Sequence, residues 1–273
     1  MPTATQDAQA YQYISALVYE RSRIRLDESK KQLISTRLGK RLRHLGLTSL
    51  SDYCHVLRAP DQEDEITQVI NALSTNFTHF MREPDHFRFL VQQALPSVLG
   101  KRRQFKVWSA ACSTGEEPYT ISFFLSEHFP PEAGWDWQLL ATDVSTKALN
   151  KAIPGVYPAD RLQELPQEWR RKYFQRGFGE WEGQFRVKAA LRDRIRFQQL
   201  NLLGQYSFRE TYDVIFCRNV MIYFDRPTQE QLVNQLGRMI APKGYLLIGH
   251  SESLNGLSVP FDCLRPSIYQ KTA

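Results

Sequence analysis

From about Leu95 onward, short apolar runs end in turns of small or polar residues and give way to amphipathic stretches. This alternation predicts strands and helices wound around a mostly parallel sheet. The candidate strands are 106–109, 138–141, 195–199, 212–217 and 244–248, with a closing strand near 267–271, and the helices between them begin near Glu116, Ser145 and Thr228. Between Tyr157 and Arg192 the pattern becomes irregular, rich in aromatic residues and turn formers such as Arg176-Gly177-Phe178-Gly179. That stretch reads as a small inserted β-subdomain. Before the sheet region, from Tyr11 to Leu73, Leu and Ile recur at three- and four-residue spacing, as a small helical domain requires. The expected organisation is a helical domain over residues 1–80, a linker that roofs the active site over 81–94, and an α/β domain over 95–273 carrying the insertion at 157–192.

A chain of 273 residues with 42% hydrophobic and 23% charged side chains has enough apolar material for these cores, which excludes disordered and collagen-like classes. The four cysteines, Cys54, Cys112, Cys217 and Cys263, lie far apart with no metal-ligand spacing, so neither a metal site nor a disulfide framework is expected. The N-terminal stretch Met1–Asp7 lacks the features of a leader, and no run of 18 apolar residues occurs; a cytoplasmic protein with reduced thiols is expected. The net charge of +6 is compatible with nucleic acid, an acidic membrane surface or an acidic protein, and selects none of them. The basic excess is concentrated, with nine basic residues against Asp27 and Glu28 between Arg21 and Arg43. A helix over 28–45 places Leu33/Ile34, Leu38, Leu42 and Leu45 on one face and Lys30, Lys31, Arg37, Lys40, Arg41 and Arg43 around much of the remainder. A solvated face is the ordinary reading of such a helix.

Four stretches carry chemistry. In Val107-Trp108-Ser109-Ala110-Ala111-Cys112-Ser113-Thr114-Gly115-Glu116-Glu117 a strand ends in small residues before a helix, which brings backbone N–H groups up to a ligand. It lacks the Lys of a phosphate-binding P-loop and fails the GxGxxG pattern. Asp143 closes the next strand, where an acid accepts hydrogen bonds from ribose hydroxyls, or where Asp143 or Ser145 caps the following helix. Together the two turns fit an adenosine cofactor, a dinucleotide or S-adenosylmethionine. A third run, Tyr212 to Asp225, delivers Arg218, Asn219 and Tyr223 to the ligand-binding end of its strand. The fourth, Ser74 to Phe87, lies between the two regions. There Phe77, Phe80 and Phe87 are expected to pack and His79 and His86 to sit in an interface, while the ordinary reading of Arg82 beside Glu83 is a helix-end ion pair worth little at a surface.

Taken together, Ser113-Thr114-Gly115-Glu116-Glu117-Pro118-Tyr119, Ala141-Thr142-Asp143, Cys217-Arg218-Asn219-Val220-Met221-Ile222-Tyr223-Phe224-Asp225 and Gly249-His250-Ser251-Glu252-Ser253-Leu254 resemble the chemotaxis receptor glutamate methyltransferases, the CheR family, along nearly the whole chain. Two departures are visible: Met81 replaces a frequent Phe, and Ala111 stands where many methyltransferases carry Gly, which removes turn freedom. The resemblance implies an α/β fold, with a small N-terminal helical domain and a Rossmann-like S-adenosylmethionine-dependent methyltransferase domain bearing the β-subdomain. It implies methyl transfer from S-adenosylmethionine, leaving S-adenosylhomocysteine, to glutamate carboxylates in the cytoplasmic helical bundle of chemoreceptors. By the same resemblance Asn76, Thr78, Arg82, Glu117, Asp143, Asn201, Leu202, Arg218 and Asn219 contact the cofactor, and Arg82 and Tyr223 lie near the transferring methyl. An acidic receptor bundle also makes Arg37, Lys40 and Arg41 of the basic helix substrate-facing. The β-subdomain docks a receptor C-terminal tethering peptide in some members. The alternatives are transfer to another substrate, or a cofactor-binding signalling adaptor without transfer. Cys217-Arg218-Asn219-Val220 is unlike the base-contacting motif of nucleic-acid methyltransferases, so no nucleic-acid partner is expected.

Overall fold

The computed structural model describes residues 4–98, 104–129, 136–206, 208 and 210–272. Met1–Thr3, the start of the stretch read as lacking a leader, lies outside the described residues. No described helix is long and apolar enough to cross a membrane.

Four helices, α1 (Ala4–Ser22), α2 (Lys31–His44), α3 (Leu50–Arg58) and α4 (Glu63–Leu73), form the N-terminal unit. Their apolar stripes meet in one core, where Ile14, Val18, Ile34, Leu38, Tyr53 and Val69 are almost fully buried. Leu45 does not join that stripe and is 36% exposed, because α2 ends at His44 and the chain turns away through Gly46 at φ +69°. Glu65 is buried on α4 and takes Arg41 Nε at 2.7 Å together with the Tyr53 hydroxyl.

The second unit opens with α5 (Asp85–Phe89), a π-helical turn over Leu90–Ala94 and α6 (Leu95–Val98). The strands and helices that follow are β1 (Gln104–Ala110), α7 (Glu116–His128), β2 (Asp136–Asp143) and α8 (Thr146–Ala152). The insertion comprises β3 (Val156–Pro158), α9 (Gln167–Tyr173), β4 (Phe174–Arg176), β5 (Gln184–Val187) and α10 (Ala189–Arg192). The chain then continues through β6 (Ile195–Gln199), β7 (Tyr212–Cys217), α11 (Arg226–Met239), β8 (Ile240–Ile248), β9 (Phe261–Arg265) and β10 (Ile268–Lys271). Seven strands form one sheet in the order β6-β2-β1-β7-β8-β10-β9, parallel from β6 to β8 and antiparallel at β10 and β9. Six of the seven β1 residues are buried, as a central parallel strand covered on both faces requires. The sequence shows no signal for β9. That edge strand buries none of its residues, and Phe261-Asp262-Cys263-Leu264-Arg265 has no apolar alternation to read.

In the insertion, β3, β5 and β4 form a separate antiparallel sheet. It is fastened to the β1–α7 turn: the Tyr157 hydroxyl donates to the Thr114 carbonyl at 2.7 Å, and Arg161 pairs with buried Glu116 while donating to the Thr78 carbonyl at 2.6 Å. Gly115 is required at this contact, since its φ is +97° and a Cβ there would lie 2.8 Å from the Tyr157 hydroxyl.

The helical unit is bolted to the sheet through Asn71 at the end of α4. Its Nδ2 donates to Thr146 Oγ1 at 2.8 Å, and its Oδ1 accepts from Ser145 Oγ at 2.9 Å and from the Lys147 N–H at 3.2 Å. Tyr19 on α1 adds a bond to Asp225 Oδ2 at 2.9 Å, and Asn201 Nδ2 donates to the Arg21 carbonyl at 2.7 Å. Asn71→Ala removes three bonds at a largely buried site and is expected to lower stability by about 2 kcal/mol. A chemical-denaturation midpoint unchanged from the parent would show that this junction does not hold the units together.

Candidate active site

The position of the cleft follows from strand register. β1 pairs with β2 on one side and β7 on the other, with Ala110 level with both Thr142 and Cys217. The turns after these three strands therefore emerge at one height, beside the point where the strand order reverses and ligands of such sheets bind. Asn76, Thr78, Arg82 and Glu117 line the resulting cleft together with Asp143, Asn201, Leu202, Arg218, Asn219 and Tyr223. The helical unit closes it from above with Arg25, Lys30 and Leu33.

The β1–α7 turn is tightly wound. Ala111 and Ser113 adopt φ of +68° and +51°, left-handed conformations that cost a residue with a side chain about 1–2 kcal/mol each. Compensation comes from the Cys112 N–H, which donates to the Thr142 carbonyl at 2.8 Å, and the Ser113 N–H, which donates to Asp143 Oδ2 at 2.8 Å. The other Asp143 oxygen accepts from the Ser145 N–H at 2.8 Å. Burial pushes the Asp143 carboxyl above its ordinary pKa, against the opposing pull of these N–H groups. Ser145, not Asp143, caps α8, accepting from the Ala148 N–H at 3.2 Å.

Arg218, whose side chain is 1% exposed, organises the cleft wall. Its Nη1 donates to Glu117 Oε2 at 2.8 Å, and its Nη2 donates to Glu83 Oε2 at 3.0 Å and to the Arg82 carbonyl. Ser109 Oγ holds the second Glu117 oxygen at 2.7 Å. Glu83 Oε1 accepts from Asn219 Nδ2 at 3.3 Å and from the His250 N–H at 3.2 Å. Burial raises the Glu83 pKa, but the Arg218 charge and these donors outweigh it, leaving the carboxyl below its ordinary value. Beneath them Glu252 accepts from the N–H groups of Gly249, Asn219 and Met221 at 2.6, 2.9 and 2.7 Å. Asn219 is thereby held at φ +56°, so close to Gly249 that a Cβ there would meet Asn219 Nδ2 at 2.3 Å.

Several expectations change in three dimensions. Arg82 does not pair with Glu83; its Nη1 donates to the Phe77 carbonyl at 3.0 Å, because the buried Arg218 is the stronger partner for the carboxylate. Phe80 and Phe87 are fully buried, whereas Phe77 is 70% exposed at the cleft mouth. His79 contacts Glu164 of the insertion at 2.9 Å. His86 is buried, with Nε2 2.7 Å from Ser267 Oγ. Although ligand atoms of Glu83, His86 and His250 lie within 4.8 Å of one another, the Arg218 guanidinium on Glu83 would repel a metal cation there. On α2, Arg37 donates to the Leu73 and Ser74 carbonyls at 2.9 and 3.1 Å, satisfying the end of α4, and Arg41 is bound to Glu65. Both guanidinium groups expected to face substrate are therefore engaged within the chain, and Lys40 alone of the three is exposed and unpaired among the described residues.

Glu252 was not singled out from the sequence, Glu83 was read only as a neighbour for Arg82, and Arg25, Lys30 and Leu33 were not read as cleft residues. Glu252 sits inside Gly249-His250-Ser251-Glu252-Ser253-Leu254, a run that supported the family resemblance without a role for any residue. The partner of Glu83 lies 135 residues away, beyond any local pattern.

Two outcomes follow from this wall. Because the folded-state pKa of Glu83 is below its ordinary 4.5, its stabilising contribution is complete above about pH 4.5 and is lost as pH falls through the folded value. Glu83→Gln should flatten the acid limb of a stability–pH curve, and an unaltered limb would mean that Arg218 does not hold the ionised form. Ala111→Gly should raise the denaturation midpoint by up to about 1 kcal/mol of stability by relieving the left-handed residue; a fall would show the turn unstrained.

Comparison with known proteins gives the same picture for both units. Residues 9–74 match the CheR methyltransferase all-alpha domain, and residues 76–269 match the CheR methyltransferase SAM binding domain. The chemotaxis protein methyltransferase of Escherichia coli K12 is 39% identical over 262 residues, covering 95% of this chain and 89% of that protein. Chemotaxis protein methyltransferase 2 of Pseudomonas aeruginosa is 41% identical over 248 residues, covering 89% and 86% respectively. The chemotaxis protein methyltransferase of Borreliella burgdorferi is 37% identical over 262 residues, covering 93% and 91%. With a helical cap, a cofactor-type cleft at the switch point and full-length relatives in agreement, the chain belongs to the CheR family of S-adenosylmethionine-dependent methyltransferases.

Proposed function

We propose that the acceptor is the side-chain carboxylate of specific glutamates in the cytoplasmic helical domain of chemoreceptors, and that the product is a methyl ester which tunes chemotactic adaptation. The observation that carries this reading is the pair Arg82 and Tyr223. Both line the cleft and keep donors to spare: Arg82 makes one side-chain hydrogen bond, and the Tyr223 hydroxyl has no protein partner among the described residues.

The residues present fit the cofactor. Asp143 uses one acceptor site on each oxygen for backbone N–H groups and retains others for a pair of ribose hydroxyls. Leu202 and Val144 offer apolar contact to a flat base, with Asn201 beside them. Glu117 supplies negative charge for an amino group, and Arg218 acts by fixing Glu117 and Glu83, its own side chain being almost wholly enclosed. Asn76, Thr78 and Asn219 complete the polar lining. When bound, S-adenosylmethionine supplies a methyl group activated by a sulfonium cation.

A glutamate is already ionised near neutral pH, so the chain needs no general base. Its work is orientation and water exclusion. Arg82 holds the incoming carboxylate by one edge, leaving an oxygen free to attack, and Tyr223 fixes the opposing end of the reacting line. Leu33 and the Phe77 ring shelter that line, so opposite charges approach with little solvent to stabilise them apart. A receptor C-terminal peptide is proposed to tether at the inserted sheet, which exposes Phe178 and Trp181 at 81% and 61%. The protein acts on the cytoplasmic side in this reading.

The test is labelled methyl transfer into membranes carrying candidate chemoreceptors, with base-labile release of methanol as the sign of an ester. Arg82→Ala is expected to lower transfer by about 100-fold and Tyr223→Phe by about tenfold, the latter with S-adenosylhomocysteine affinity nearly unchanged by calorimetry. Base-stable label would reject glutamate as the acceptor. Cofactor binding without any transfer would favour an adaptor, and full turnover in both variants would remove the two assignments.

A further inference from the structure

Beside the active-site cleft lies a second groove, and Ser74 and Asn76 line both. One wall is α2, with Arg37, Lys40, Arg41 and His44 recurring at three- and four-residue spacing. The other is α8 of the methyltransferase domain, with Lys147 and Lys151 one turn apart. No Asp or Glu is among the residues lining the groove. Arg37 and Arg41 are tied into the fold, but Lys40, Lys147 and Lys151 are exposed and form no ion pair among the described residues.

We propose that this groove seats an acidic helix of the protein substrate, held from both units at once by Lys40 on α2 and by Lys147 and Lys151 on α8. The inference rests on the protein-glutamate reading above and adds a second docking wall to it. Three observations fix the occupant's chemistry. Lys147 and Lys151 lie four residues apart on α8, about 6 Å, which matches carboxylates at i and i+4 of a partner helix, and Lys40 adds a free cation from α2. The floor, with Gln68, Asn71 and Thr114, is polar and neutral, suited to a hydrated acidic face and not to an apolar one. No Phe, Tyr or Trp lines the groove, so the broad stacking platform that single-stranded nucleic acid uses is missing. Continuity at Asn76 supplies the geometry: a helix lying in the groove runs directly to the mouth of the cleft. Asn71, in the floor, is also the residue that bolts α4 to α8, so the spacing of the two charged walls is set by that junction.

The experiment compares Lys147→Glu/Lys151→Glu with Arg238→Glu/Lys243→Glu, an equal charge change on α11 and β8, using receptor cytoplasmic fragments as substrate. At low salt the groove variant should raise KM about tenfold with kcat and S-adenosylhomocysteine affinity unchanged, and the difference should shrink at high salt. Lys147→Arg/Lys151→Arg should restore the parent KM, and the control pair should leave it within about twofold. Equal KM values for groove and control variants, or a loss confined to kcat, would overturn the groove while leaving receptor methylation intact. Failure of the parent protein to esterify receptor fragments would overturn the functional reading and this inference with it.

Discussion

A buried guanidinium between two carboxylates is the constraint on which the site depends. Arg218 leaves the end of β7, Glu117 lies on α7 after β1, and Glu83 belongs to the segment that joins the helical unit to the sheet. Three distant parts of the chain thus share one charge. Removing one partner of such a buried ion pair leaves an unpaired charge and typically costs about 3–5 kcal/mol, so the three cannot drift independently. The Arg82 carbonyl bonds to the same guanidinium, so the segment that carries the Arg82 side chain to the cleft mouth is anchored by a residue 136 positions away.

Around this anchor the chain accepts local strain where a ligand must come close. Ala111, Ser113 and Asn219 all lie in the left-handed region, at the turns that follow β1 and β7. Each is held by a carboxylate or carbonyl that takes its own N–H or a neighbour's: Thr142 and Asp143 on one side, Glu252 on the other. The acids inside this protein therefore divide by role. Glu252 mostly wraps backbone, Glu83 and Glu117 balance Arg218, and Asp143 both shapes the turn and faces the cleft. No proton-transfer dyad is needed for an acceptor that arrives ionised, and that suits a site whose charged groups are mainly devoted to holding geometry.

The helical cap and the inserted sheet brace the same wall from two directions. Arg161 reaches from the insertion to Glu116 and the Thr78 carbonyl, while Asn71 and Tyr19 tie the cap to α8 and to the start of α11. Placement of free surface charge is consequently a property of the assembled protein. Arg37 and Arg41, the obvious surface cations of α2, are consumed in closing the end of α4 and neutralising Glu65, while Lys147 and Lys151 of α8 lie across a groove from α2.

The sequence by itself determined the alternation of strands and helices, the small-residue turn before α7, the acid after β2 and the polar delivery at the end of β7. Each is a local pattern: apolar periodicity, turn chemistry, or a run of residues whose order carries the family likeness. Legibility stopped where pairing is non-local. Nothing near Glu83 names Arg218 as its partner, and nothing in α2 shows that its arginines bend inward. Phe77 reads like its neighbours Phe80 and Phe87, yet it lies at the mouth of the cleft because the strand ends leave it no core to enter. Tertiary structure alone decided these points, because a side chain's partner is set by which backbone segments register and packing bring within a few ångströms, and sequence spacing carries no record of that distance.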